Sequence, residues 1–387
     1  MPAVTLAPLW IETLRLANFR NFEQVTITAG DRPVVLYGSN GAGKTNLLEA
    51  VSLLAPGQGL RRTAYPDLAR HGTPGDWSVA ARAHTAYAVV DIGTGLQPSA
   101  PNGARSGRIV RIDGVNQTGS GVLADYIEMV WLTPSSDGLF TGPASERRRF
   151  LDRLILCFDP THRNRAGHFD RAMRQRNRLL DEGTYDRAQF EGLETILAET
   201  GVAIAAARVE AVGALDREMA MRRDRQQGDV FPWAELALEG TLERELADRP
   251  AIDVEDRYRD ALARHRDRDR AAGRTLLGPH RSDLLVTHGP KAMPAKLCST
   301  GEQKALLISL VLAHAELAAA RRGGAPPVLL LDEIAAHLDA ERRAALFEDL
   351  LRLGAQSWMT GTDRSAFAEL ESQATFLRVS AGDVAEI

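Results

Sequence analysis

The segment Val34–Ala50, VVLYGSNGAGKTNLLEA, leaves a chain few folds to choose from. Val34 to Tyr37 form a short apolar run of the kind that makes a buried strand. Gly38-Ser39-Asn40-Gly41-Ala42-Gly43-Lys44-Thr45 then matches G-x-x-x-x-G-K-[ST], and a helix is predicted from about Asn46. The glycines let backbone N–H groups turn inward around β- and γ-phosphates, and the helix aims its positive end at the same oxygens. Lys44 adds a point charge, and the Thr45 hydroxyl offers a ligand to Mg²⁺. Gly38, Gly41 and Gly43 are wrongly spaced for the dinucleotide pattern G-x-G-x-x-G. The expectation is a site for a nucleoside triphosphate.

Such a site needs a second strand that ends in acids. PPVLLLDEIAAHLDAERR supplies one: Val328 to Leu331 is wholly apolar and runs into Asp332 and Glu333. At the carboxyl end of a parallel strand Asp332 is placed for Mg²⁺, and Glu333 is placed to polarise an attacking water as general base. Between the two motifs lies LCSTGEQKALLISLVLAHAEL. Ser299 with Glu302 fits an S-x-x-E capping box, which is the plain reading of that stretch.

A chain of 387 residues exceeds what one core usually supports, so two lobes are expected. Residues 1–148 are strand-rich, and Asp113-Gly114 reads as a tight hairpin turn. Residues 149–274 change to long arginine-rich segments of helical period, and strand–helix alternation returns over residues 275–387. From Asp186 to Gln226 apolar residues recur at three-four spacing, interrupted by Gly192, Gly201 and Gly213. The glycines predict a pair of amphipathic helices, with a longest span of about 60 Å. The two cysteines, Cys157 and Cys298, have neither metal nor disulfide-framework spacing. No leader-like or membrane-spanning apolar run is evident, so a cytoplasmic protein without a membrane partner is expected.

The order of these motifs, P-loop, Ser299-Thr300-Gly301-Glu302-Gln303, the Asp332-Glu333 strand, then His337-Leu338-Asp339, resembles the ABC-type ATPase head. That resemblance implies ATP and Mg²⁺ as cofactors, with Lys44 and Glu333 catalytic. It also implies a shared site, in which Ser299, Thr300, Gly301 and Glu302 reach the γ-phosphate held by a second copy. Four further stretches resemble the RecF family of bacterial DNA replication and repair proteins. They are LRLANFRNF (Leu14–Phe22), GPASERRRFLDRL (Gly142–Leu154), RQRNRLL (Arg174–Leu180) and TLLGPHRSDL (Thr275–Leu284). The fold this implies is α/β, an ABC-type P-loop ATPase head with mixed sheets, interrupted by a mainly helical lobe. The activity implied is that of a slow, DNA-stimulated ATPase that dimerises on ATP and clamps double-stranded or gapped DNA. RecR and RecO as partners, help in loading RecA, gap repair and the SOS response come with the family alone. Two readings remain beside it. A transporter subunit is disfavoured by the arginine-rich insertion, and a chromosome-organising ATPase by an insertion of only about 125 residues, short for a long arm.

Two features depart from the wider superfamily. No glutamine loop is evident in VWLTPSSDGLFTG, which has Asp137 where one is sought. The γ-phosphate-sensing histidine is missing from SWMTGTD, which offers Thr360, Thr362 and Asp363 instead. A hydroxyl there could bond the phosphate without carrying charge, so slow turnover is expected, and Thr362 and Asp339 are among the expected nucleotide contacts. From Arg147 to Arg178 the chain carries ten arginines against three aspartates, within a protein of net charge −4. Arg147, Arg148, Arg149, Arg174, Arg176 and Arg178 are the expected DNA contacts, made to phosphates rather than bases because few aromatics interleave.

Overall fold

The computed structural model describes residues 8–97, 107–183, 186–225, 230–336 and 338–386. His337, named above, lies outside them. The chain forms two compact units, one of Met1–Asp137, Gly228–Phe231 and Leu307–Ile387, the other of Gly138–Gln227 and Pro232–Leu306. The described residues on either side of the second unit therefore fold into one body.

The first unit opens with Trp10–Phe19 (β1), Phe22–Thr28 (β2), Val34–Tyr37 (β3) and Lys44–Ser52 (α1). Trp77–His84 (β4), Val89–Leu96 (β5), Ile109–Ile112 (β6), Val115–Asn116 (β7) and Met129–Leu132 (β8) follow. The second unit holds Ala144–Ile155 (α2), His162–Asp181 (α3), Arg187–Arg225 (α4), Ala234–Glu239 (β9), Thr241–Asp248 (α5) and Ala251–Arg264 (α6). It continues with Arg266–Ala271 (α7), Asp283–His288 (β10), Met293–Pro294 (β11) and the start of Thr300–Arg321 (α8). Val328–Leu331 (β12), Ala340–Leu353 (α9), Ser357–Gly361 (β13), Thr375–Ser380 (β14) and Asp383–Glu386 (β15) return to the first unit.

Two six-stranded sheets make the first unit, ordered β2-β1-β4-β5-β6-β7 and β15-β14-β3-β13-β12-β8. In the second sheet β14, β3, β13, β12 and β8 run parallel. VLLL of β12 and SWMTG of β13 are buried at every position, as parallel strands covered on both faces must be. In the other sheet β4 alternates buried and open residues, as an antiparallel strand with one wet face does. Gln356, 1% exposed, joins the sheets: its amide donates to Ile11 O and Gly30 O and accepts from Ile11 N. The hairpin at Asp113-Gly114 forms as its sequence predicts, with φ of 48° and 80° at the two residues.

The second unit is wider than residues 149–274. It takes in α2 and a three-stranded sheet, β11-β10-β9, whose central strand comes from Asp283–His288. Its core gathers Phe169, Leu197, Val202, Ala205, Val254, Tyr258 and Leu262. The expected helix pair over residues 186–226 is one helix, α4, of 39 residues and about 58 Å. Gly201 marks close packing instead of a break. A Cβ there would lie 2.9 Å from the Tyr258 ring and 3.2 Å from Phe169. α8 is long and apolar enough to cross a membrane, yet 83% of its most apolar window is buried inside the protein, so it is an interior helix.

Arg176, expected above on a DNA-facing surface, is a core residue. It is 0% exposed. Its guanidinium donates to Glu194 (3.1 Å), Asp269 (2.7 Å), Thr275 Oγ1 (2.8 Å) and Leu262 O (2.8 Å). A buried charge persists only when paired this fully. Replacing Arg176 by alanine leaves the buried Asp269 without its cation, while Glu194 keeps Arg266, and is expected to lower unfolding stability by about 3–5 kcal/mol. The exposed Arg174→Ala should change it by about 0.5 kcal/mol or less. Urea unfolding of both variants checks the contrast.

Candidate nucleotide site and arginine surface

The turn after β3 is built so that only glycine fits its tightest points. Gly38 has φ 150°, and a Cβ there would lie 2.3 Å from Val379 O. Gly43, at φ 113°, would press a Cβ to 2.5 Å from the Asn21 side chain. Ser39, Asn40 and Gly41 form the open crest of the turn, while Ala42 is buried beneath it. Lys44 folds back over the loop and donates to Gly38 O (2.7 Å) and Ser39 O (2.9 Å). Burial lowers its pKa, opposed in part by Glu333 and Asp332.

Several residues that carry no motif hold this loop. The Asn21 amide donates to Ala42 O (3.1 Å) and accepts from Asn46 (2.7 Å). Glu49, on α1 and wholly buried, receives both arms of Arg20 at 2.8 and 2.9 Å. Arg61 donates to Asn46 Oδ1 (2.7 Å) and reaches Glu49 at 3.4 Å. Asn21 and Arg20 lie inside LRLANFRNF, a stretch singled out by resemblance without a role. Its role is to brace the phosphate loop.

The acid strand arrives beside that loop. Thr45 Oγ1 donates to Asp332 Oδ1 at 3.0 Å, across 287 residues of sequence. Thr360 Oγ1, on the intervening strand β13, donates to the same oxygen at 2.7 Å. Burial raises the pKa of Asp332, and the bonds from Thr360 and Thr45 oppose that rise. Glu333 is exposed, has φ 52°, and donates its backbone N–H to Thr360 Oγ1 at 2.7 Å. Thr360, weighed above as a phosphate sensor, is 0% exposed and committed to these bonds, so that reading is withdrawn. A hydroxyl and a carboxylate in contact form the hard-oxygen pair that suits Mg²⁺. No group of three or more His, Cys, Asp or Glu side chains gathers as a metal site among the described residues. Magnesium bound mainly by nucleotide oxygens needs only one or two protein ligands, so the pair fits it.

Ser299 and Thr300 are exposed at the start of α8, in the second unit. Both halves of the capping box form: Ser299 N donates to Glu302 Oε2 (2.9 Å) and Glu302 N to Ser299 Oγ (3.4 Å). Lys291 also donates to Glu302, and with Ser299 it holds that carboxyl down to about 2. Gly301 has open space where a side chain would stand. Asp339 caps α9 by accepting from Arg342 N (2.8 Å), and Thr362 is exposed just past β13.

The arginine-rich stretch splits in two. Arg147 is fastened to Asp283 by two bonds of 2.8 Å, and Arg148 donates to Ser282 O at 2.6 Å. Asp152 takes both arms of Arg208, which also reaches Ser282 Oγ at 2.9 Å. Burial pushes the Asp152 carboxyl up, but bonds from His162 and Arg208 outweigh it and bring it down to about 2. GPASERRRFLDRL and TLLGPHRSDL are thus partners within one packed junction, which gives Arg147 and Arg148 structural work. Arg149, Arg171, Arg174 and Arg178 are exposed. Sequence reading missed this division because the acids that claim an arginine lie up to 136 residues away.

Comparison with known proteins agrees with this geometry. A family described as RecF/RecN/SMC N terminal domain matches residues 10–382. The DNA replication and repair protein RecF of Mesorhizobium japonicum is 54% identical over 385 residues, 99% of this chain and 98% of that one. That of Brucella suis biovar 1 is 51% identical over 379 residues, covering 97% and 96%. Among solved structures, the recombination mediator protein RecF-ATPrS in the RecFOR pathway superposes with a TM-score of 0.85 at 22% identity, over 99% of both chains. An Smc head bound to the C-winged helix domain of ScpA gives 0.55 at 16% identity, covering 98% and 97%. The fold is that of the RecF and SMC heads, and the chain belongs to the RecF family of DNA replication and repair proteins.

Proposed function

We propose that the chain is an ATP-dependent DNA-binding protein and slow ATPase, which pairs with a second copy on ATP and holds DNA for gap repair in the cytoplasm. The observation that carries this reading is the Thr45–Asp332 hydrogen bond, which joins the two halves of a nucleotide site from opposite ends of the sequence. Backbone amides of residues 38–46 cradle the phosphates. Lys44 exchanges its carbonyl partners for a phosphate oxygen, and Thr45 and Asp332 hold Mg²⁺. When bound, the metal neutralises charge on the phosphates. Glu333, exposed beside Asp332, takes the proton of the attacking water. Ser299, Thr300, Gly301 and Glu302 of the second copy complete the site, with Asp339 and Thr362 at its margin. Thr362 carries no charge, which agrees with slow turnover. Solved relatives described as RecF-ATP in the RecFOR pathway support ATP as the nucleotide and RecR and RecO as partners.

The DNA surface is redrawn by burial. Arg171, Arg174 and Arg178 follow three-four spacing on α3, so they share one face, and all are exposed. Arg178 pairs with Glu182 at 2.7 Å, but an exposed pair of this kind contributes little and yields readily to a phosphate. They form a phosphate-binding surface of low sequence specificity, with Arg149, exposed on α2, as a further contact.

Glu333→Gln should retain ATP and run as a dimer on a sizing column with ATP, and adding Lys44→Ala should return it to a monomer. A Glu333→Gln protein that stays monomeric with saturating ATP contradicts the shared site. Replacing Arg171, Arg174 and Arg178 together by alanine should flatten the slope of log affinity against log salt for duplex DNA by about 2–3. An unchanged slope places the DNA elsewhere.

A further inference from the structure

Strand β13 is buried at all five positions and lies between β3 and β12, the strands that deliver the phosphate loop and the acids. A hydroxyl in such a place is costly unless its bonds are made. Thr360 makes two, and their directions are fixed. An amide N–H can only donate and a carboxylate can only accept, so the single hydroxyl proton points at Asp332 and a lone pair faces Glu333 N.

These bonds settle two features of the site. Asp332 Oδ1 accepts from both Thr360 and Thr45, which leaves Oδ2 without a hydrogen-bond partner among the described residues. Because the proton of Thr45 is spent on Asp332, its lone pairs remain for a metal. Glu333 adopts the left-handed conformation that a non-glycine residue holds only with outside support, and its N–H is held by Thr360 Oγ1. Leu331 is in register with Met359, so Thr360 stands level with Asp332.

We propose that Thr360 is a positioning residue of the nucleotide site: its hydroxyl orients the Asp332 carboxylate toward the metal and fixes the backbone turn that presents Glu333. The inference rests on the ATP–Mg²⁺ reading of the site. Val328 to Leu331 could position the acids by backbone alone, but a bare strand end would leave the carboxylate free to rotate. Thr360 removes that freedom before any nucleotide arrives, which is how a preorganised site avoids reorganisation during the reaction.

The test compares wild type, Thr360→Val, which keeps the shape and loses the hydroxyl, and Thr360→Ser, which keeps the hydroxyl. ATP affinity is measured in EDTA and again with Mg²⁺, alongside steady-state hydrolysis. Thr360→Val should bind ATP in EDTA within about twofold of wild type, lose about tenfold of the Mg²⁺-dependent gain in affinity, and fall about tenfold or more in kcat. Thr360→Ser should restore both to within about threefold. Thr360→Ala serves if the valine variant does not fold, with the same losses expected. A valine or alanine variant with the wild-type Mg²⁺ gain and kcat overturns the proposal. So does a serine variant as impaired as valine, which would assign the methyl group a packing role only. Wild-type protein that gains no affinity from Mg²⁺ would instead overturn the nucleotide–metal reading, and this inference with it.

Discussion

Everything at the candidate site depends on two hydrogen bonds, which join Thr45 of α1 and Thr360 at the end of β13 to Asp332 just past β12. Both hydroxyls donate to the same oxygen, Asp332 Oδ1, at 3.0 and 2.7 Å. Parallel strands covered on both faces leave their ends as the place where polar groups can gather. The sheet order β3-β13-β12 explains why the loop and the acid strand, far apart in sequence, need a third strand between them. That middle strand is buried throughout, and its Thr360 hydroxyl bonds Asp332 and the backbone of Glu333 on the β12 side.

The second unit follows a different economy. Arginine carries nearly all the positive charge of this chain, so the same residue type serves both core and surface. Arg176 and Arg208 are buried and surrounded by acids and carbonyls. Buried ion networks of this kind add little net stability over apolar packing, but breaking one is costly. Arg176 ties α3 to α4, α6 and α7, and Arg208 ties α4 to α2 and to the turn before β10, while Arg171, Arg174 and Arg178 stay exposed on α3. Arginines of this unit therefore divide into buried, fully paired residues and exposed ones such as Arg171, Arg174 and Arg178.

Local features were legible in the sequence because their physics is local. The phosphate loop, the apolar strand before Asp332, the Asp113-Gly114 turn and the Ser299–Glu302 capping box all depend on residues within a few positions. What escaped depends on distant partners. Gly201 looked like a helix breaker because the Tyr258 and Phe169 rings that require its small size are invisible in a window. Arg176 looked like surface charge because Asp269 lies 93 residues away. Asn21, Arg20 and Thr360 had no signal of their own beyond position, because the groups they bond lie elsewhere in the chain. Within a resemblance that spans the chain, the three-dimensional partners sort working residues from structural ones.

The most direct measurement is a crystal structure with a non-hydrolysable ATP analogue and Mg²⁺. The account places the β- and γ-phosphates against the amides of residues 38–45 and the metal about 2.1 Å from Thr45 Oγ1, whose proton still points at Asp332. A nucleotide found elsewhere, or a metal that touches neither Thr45 nor the water shell of Asp332, would contradict it.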